Sequence, residues 1–152
     1  MEKINLNRVV LGGLVAGIVA DVLGYLVDGV LLAPRWADGM KALGRPEFTT
    51  NQWIGFNLIG LAGGIFAIWL YAAIRPRYGA GPRTAIAAGL AVWVIGTLLP
   101  NTALMGISGF FALNLTSLTT LGAVVKVVAG ALAGAALYQE GAPAGRTMAA
   151  RA

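Results

Sequence analysis

Four long apolar runs, separated by short polar stretches, organise the chain. They cover about 9–33, 53–74, 82–104 and 113–138. Each exceeds the roughly 20 residues that a helix needs to cross the hydrocarbon of a bilayer. The runs are continuous and lack a period of two, which excludes a transmembrane β-barrel. Arg8 opens the first run and Pro34 closes it, and Arg75-Pro76-Arg77 closes the second. A proline inside a helix loses a hydrogen bond, so Pro76 predicts a stop there and Pro100 a kink near the end of the third run. Pro82 suits the first turn of that run, where a missing N–H costs nothing. The pattern predicts an all-α, membrane-embedded four-helix bundle forming one domain, residues 1–139. The stretch 140–152, rich in Ala, Gly, Pro and Arg, is expected to be a flexible tail.

Composition strengthens this reading. The chain has 152 residues, 58% of them hydrophobic and 11% charged, whereas soluble domains carry about 25% charged residues. It contains no Cys and no His. That excludes thiolate and imidazole chemistry, and with it disulfides and the usual zinc, haem and iron–sulfur ligands. No cofactor and no metal site are expected. Lys3 and Arg8 before an apolar run could also begin a cleavable signal peptide. A signal core is only about 7–15 residues and ends at a small-x-small site. The first run is longer, and Pro34-Arg35-Trp36 follows it, so we read a retained helix.

The net charge of +5 is unevenly placed. Four crossings put Lys3, Arg8, Arg75, Arg77, Arg83, Arg146 and Arg151 on one side, against Arg35, Lys41 and Arg45 on the other. The positive-inside rule then predicts both termini in the cytoplasm. Basic residues at span ends fit the lipid bilayer as partner. They form no basic groove with aromatic platforms, so no nucleic-acid partner is expected.

The loop after the first run has its own pattern. Pro34 suits a helix start, and Gly44 followed by Pro46 suits a stop. Between them Trp36, Met40 and Leu43 share one face, which predicts a short helix flat at the interface. Thr49, Thr50 and Asn51 are expected to cap the second span. The run Trp36, Ala37, Asp38, Gly39, Met40, Lys41, Ala42, Leu43, Gly44, directly after the first of four spans, resembles small uncharacterised four-span bacterial integral membrane proteins. The resemblance implies the layout and a bacterial inner membrane, and carries no activity.

Within lipid, helices pack through small residues and interhelical hydrogen bonds. Stripes of these recur at helical spacing. The first span has Gly13, Gly17, Asp21, Gly24 and Asp28; the second has Asn57, Gly60, Gly64, Ala67 and Tyr71; the fourth has Thr119, Gly122, Lys126, Gly130 and Ala133. Gly13 to Gly17, Gly60 to Gly64 and Gly130 to Gly134 are Gly-x-x-x-Gly steps, which signal close approach to a helix of the same chain or of another copy.

A charge near the bilayer centre costs several kcal/mol and so faces a partner or water. Asp21 and Lys126 lie at the midpoints of antiparallel spans, which predicts that they pair. Asp28, Asn57, Asn101, Asn114 and the threonines of the fourth span lie on the outer side of that level. A polar vestibule ending at Asp21 and Lys126 follows, with Tyr25 on its wall. Two readings stay open: an internal tie with ordinary interhelical hydrogen bonds, or a site for an ion, a proton or a small polar solute.

Catalysis is not expected, because Asp21 and Asp28 are too far apart to hold one ion unaided and Ser108, Ser117 and Lys126 have no demanding spacing. The first expectation for function is a non-enzymatic accessory or packing protein, a homo-oligomer or a subunit of a larger membrane complex. The alternative is a small-solute or ion carrier or channel, proton-coupled or not, using Asp21, Asp28 and Lys126.

Overall fold

A computed structural model describes residues 4–140 of the chain. Of the expected tail, 140–152, all but Glu140 lies outside the described residues, Arg146 and Arg151 included, as does Lys3. Four helices have the length and apolarity to cross a membrane: α1 (Leu6–Leu31), α3 (Thr50–Tyr78), α4 (Pro82–Ile107) and α5 (Leu113–Leu137). A shorter helix, α2 (Ala33–Ala42), follows α1. No strand occurs among the described residues. The protein is a polytopic all-α bundle. α1 packs between α3 and α5, and α4 closes the ring against the same two neighbours. Large apolar side chains such as Leu11, Leu121 and Val125 stay on the outside, where a bilayer receives them.

Asn5, Tyr138 and the 79–81 loop share one end, here called basal; α2 and the 108–112 loop lie at the distal end. The basal half is closed. Gly13 and Gly17 face α3, while Gly12 and Ala16, one position earlier on α1, face α5. A Cβ added at Gly17 would lie 2.6 Å from the Cα of Leu61, and one at Gly12 would lie 2.6 Å from the carbonyl oxygen of Gly134. One added at Gly64 would collide with the backbone of Gly13 and Gly17. All three Gly-x-x-x-Gly steps therefore pack inside the chain. Gly12 belongs to the same seam and escapes a one-face reading of α1. Around the seam, Val9, Ala16, Ile68, Tyr71, Ala72, Ala85 and Ala88 form the buried core.

The basal rim is tied by polar contacts. Asn5 caps α1 by accepting from Arg8 N at 3.2 Å, and its own N–H donates to the Tyr138 hydroxyl at 3.4 Å. Arg75 reaches Glu140 at 3.4 Å and lies over the Tyr138 ring. α3 does not stop at Pro76. It runs to Tyr78, and Gly79, with φ 85°, ends it. Proline removes one bond, to the Ala72 carbonyl, but leaves the last turn intact. The Gly79 N–H still donates to the Arg75 carbonyl at 2.8 Å, and the Thr84 hydroxyl donates to the Gly79 carbonyl at 2.7 Å.

The distal half differs. α1 widens into a π-helical segment over Tyr25–Leu31. α4 does so over Val94–Leu98 and again over Thr102–Ile107. Between the last two lies a single α turn, Leu99–Asn101, which contains Pro100. Pro100 has no N–H to donate, so the bonding register breaks at that turn. Such i→i+5 segments turn the following side chains around the axis and occur mostly as short bulges at functional sites.

α2 forms where Pro34 and Gly44 predict it, and Met40 is its buried anchor. Trp36 packs edge-on against Phe48 and Phe111, at 5.8 and 5.2 Å between ring centres. Thr49 caps α3 in a reciprocal box: its N–H donates to the Gln52 side-chain oxygen at 2.8 Å, and its hydroxyl accepts from Gln52 N at 3.4 Å.

Candidate functional site

The distal halves of the helices enclose a cavity of about 960 Å³. Ala16, Gly64, Ala67 and Ala131 form its floor, at the top of the basal seam. Asp21, Tyr25, Asp28, Asn57, Asn101 and Lys126 all line it. The structure thus brings together on one wall system the six side chains that the sequence places in a vestibule.

The ion pair is not the expected one. Lys126 Nζ bonds Asp28 Oδ2 at 2.5 Å, and Asp21 accepts no hydrogen bond from any described residue. Matching Cα depths led to Asp21, but side chains lean toward the N-terminus of their own helix. α1 and α5 are antiparallel. Asp21 therefore leans basally, while the long Lys126 stem leans distally, away from it and toward Asp28. The lysine stem passes over Gly24, where an added Cβ would be in ordinary contact at 3.6 Å from both Lys126 Cδ and Nζ. Asp28 lies in the π-helical part of α1, where its Oδ1 is buried and without a partner among the described residues.

The Asp21 carboxylate instead packs against α3. Gly60 makes room for it, since a Cβ at that position would fall onto the Asp21 carboxylate. The side chain is half-buried and faces the cavity with its hydrogen-bonding capacity unused. Gly122 completes the crossing of α1 and α5, with a Cβ there 2.9 Å from Val27 Cγ1.

The amides and hydroxyls are mostly satisfied locally. Asn57 donates to the Trp53 carbonyl at 2.7 Å, one turn back on α3. Asn101 donates across the bundle to the Thr120 hydroxyl at 3.0 Å. Thr116, Thr119 and Thr120 donate to carbonyls of their own helix, at 3.2, 3.0 and 2.7 Å. Of the interhelical bonds that one of the two readings asks of these threonines, Thr120 makes both that occur, its hydroxyl accepting from Asn101 and its carbonyl from Trp93 Nε1 at 2.9 Å. Asn114 binds the backbone of Leu115 and is absent from the cavity wall.

One part of the wall was missed by sequence reasoning. Trp36, Phe48, Trp53 and Phe56 also line the cavity. Phe48 joins the others, with ring centres 5.7 Å from Trp53 and 5.6 Å from Phe56. The available signal was spacing: Trp53, Phe56 and Gly60 fall at i, i+3 and i+7 on one face of α3. Among the described residues no three His, Cys, Asp or Glu side chains converge as metal ligands would.

Fold and site together define a polytopic four-helix membrane protein with a half-open cavity holding two carboxylates and one ammonium. The chain matches no family model, no curated protein and no solved structure.

Proposed function

We propose that this protein binds a small polar or ionic solute in its distal cavity, as a membrane carrier or channel subunit rather than an enzyme. The observation that carries the reading is Asp21, a carboxylate at mid-membrane depth that faces a cavity and accepts no hydrogen bond among the described residues. Intramembrane ionisable groups are expensive and mark solute or ion pathways. A purely structural tie is served by Asp28 and Lys126 and has no use for Asp21. The competing role, packing beside another membrane component, draws on the small-residue faces, and the Gly-x-x-x-Gly steps among them are occupied within the chain. We place the basal end in the cytoplasm of a bacterial inner membrane, since Arg8, Arg75, Arg77 and Arg83 gather there. The cavity then opens toward the outside.

The absence of native cysteine gives a clean test. Single substitutions Asn57→Cys and Thr97→Cys, both on the cavity wall, should react with a membrane-impermeant maleimide added from the distal side. Leu121→Cys, on the outer face, should not. Failure of Asn57→Cys and Thr97→Cys to label in a folded protein would mean a cavity closed to water, and the proposal would fall.

A further inference from the structure

Resting on that reading of the cavity, we infer that its ligand is an organic monocation with an apolar or aromatic body, seated with its charged centre on Asp21. Three observations lead there. The first is charge. Among the described residues lining the cavity, the acids and bases other than Tyr25 are Asp21, Asp28 and Lys126, a formal sum of minus one. A monocation neutralises that sum. A zwitterion leaves it unchanged, and an anion doubles it in a low-dielectric site where uncompensated charge is most costly.

The second observation is how the charges are engaged. Lys126 is committed to Asp28 by a short bond, so the wall offers no free cation to an anionic ligand. Asp21 is the uncommitted group, and it accepts charge-assisted hydrogen bonds or a bare positive centre alike. Gly60 keeps its approach clear from the α3 side.

The third is the aromatic wall. Phe56 and Trp53 stand four and seven residues distal to Gly60 on α3, about 6 and 10 Å along the axis at 1.5 Å per residue. Phe48 and Trp36 continue that surface beneath α2. Aromatic faces attract cations and accept apolar bodies, and their rings are held by mutual edge contacts. A small inorganic cation held at Asp21 would not reach these rings. A ligand about 10 Å across, a single positive charge carried by an apolar or aromatic body, uses both.

The test uses intrinsic fluorescence of the full chain in nanodiscs, since Trp36 and Trp53 line the cavity. The probes are tetraphenylphosphonium, its size-matched anion tetraphenylborate, and tetramethylammonium as a cation without an apolar body. Saturable quenching by tetraphenylphosphonium is expected, at least tenfold tighter than for either of the others. Asp21→Asn should weaken it tenfold or more, and Phe56→Ala severalfold, while Asn57→Cys labelling in the same backgrounds stays intact. Equal binding of the anion overturns the inference, as does equal binding of tetramethylammonium or undiminished binding by Asp21→Asn. If the cavity labels with maleimide but tetraphenylphosphonium does not bind, the inference fails and the solute-binding reading survives. A cavity that does not label sinks both.

Discussion

The basal and distal halves of this bundle are built from the same four helices yet solve opposite problems. Basally, α1 lies so close to α3 and α5 that backbones touch, and glycine and alanine are what the geometry admits. Distally, α1 and α4 leave the α-helical register, the helices part, and aromatic rings with three ionisable groups fill the rim of a cavity. Dispersion between closely packed small residues holds TM helices together without a hydrophobic driving force. The basal seam supplies that attachment. The distal half, relieved of it, is free to keep unsatisfied chemistry, and the difference shows where stability and where binding should respond to substitution.

The sharpest way to break the contrast is at the seam. Gly64→Leu places a branched side chain where the Gly13 and Gly17 backbones lie. Neither backbone can yield as a side chain end would, and we expect no folded monomer in detergent by size-exclusion chromatography. A comparable apolar enlargement in the distal half, Gly96→Leu, where an added Cβ meets nothing within 4 Å, should leave a folded protein. If the two behaved alike, the division into a structural and an open half would be wrong.

Next in size is the ion pair. Lys126→Met strands Asp28 and should destabilise by about 1–3 kcal/mol, less than for a fully buried pair because the two side chains keep 22% and 19% of their surface exposed. Adding Asp28→Asn should restore most of the loss in thermal melts. Adding Asp21→Asn instead should not, because Asp21 is not bonded to Lys126. Rescue by Asp21→Asn and not by Asp28→Asn would reverse the assignment made from the structure.

That assignment also shows where sequence reasoning reached its limit. The four spans, α2, the Thr49 cap of α3, the glycine seams and all six polar cavity residues follow from hydrophobic periodicity, capping chemistry and helical spacing, because those are properties of one helix at a time. The partner of Lys126 is not. It depends on the lean of Cβ and on the length of the lysine stem, and depth matching of Cα positions ignores both. Gly12 was lost for a related reason: a single stripe per helix cannot describe α1, which is wedged between two neighbours. The π-helical segments carry no composition signal beyond Pro100, since the same apolar residues suit α and π bonding. The aromatic wall went unread in part because Phe48 lies in a loop, outside any helical period, while Phe56 shares a face with Gly60 that only its spacing marks.

A subtler probe of the two halves is Gly60→Ala, at their border. The added methyl group falls on the Asp21 carboxylate, the end of a side chain that can rotate away. We expect a stability change within about 1 kcal/mol, because a flexible neighbour yields where backbone does not, together with a clear loss of tetraphenylphosphonium binding. Gly60→Ala that binds normally would mean that Asp21 does not depend on that clearance.

The smallest effect should be a gain. Gly55 lies in the first turns of α3 with nothing within 4 Å of an added Cβ. Its helical backbone is already compatible with alanine, so Gly55→Ala chiefly removes conformational freedom from the unfolded chain. The expected rise is about 0.5–1 kcal/mol, visible as a small increase in melting temperature with cavity labelling unchanged. A loss of stability instead would show that this bare stretch of α3 meets another surface in the membrane, a second copy or a partner. The distal half would then be less open than the isolated chain makes it.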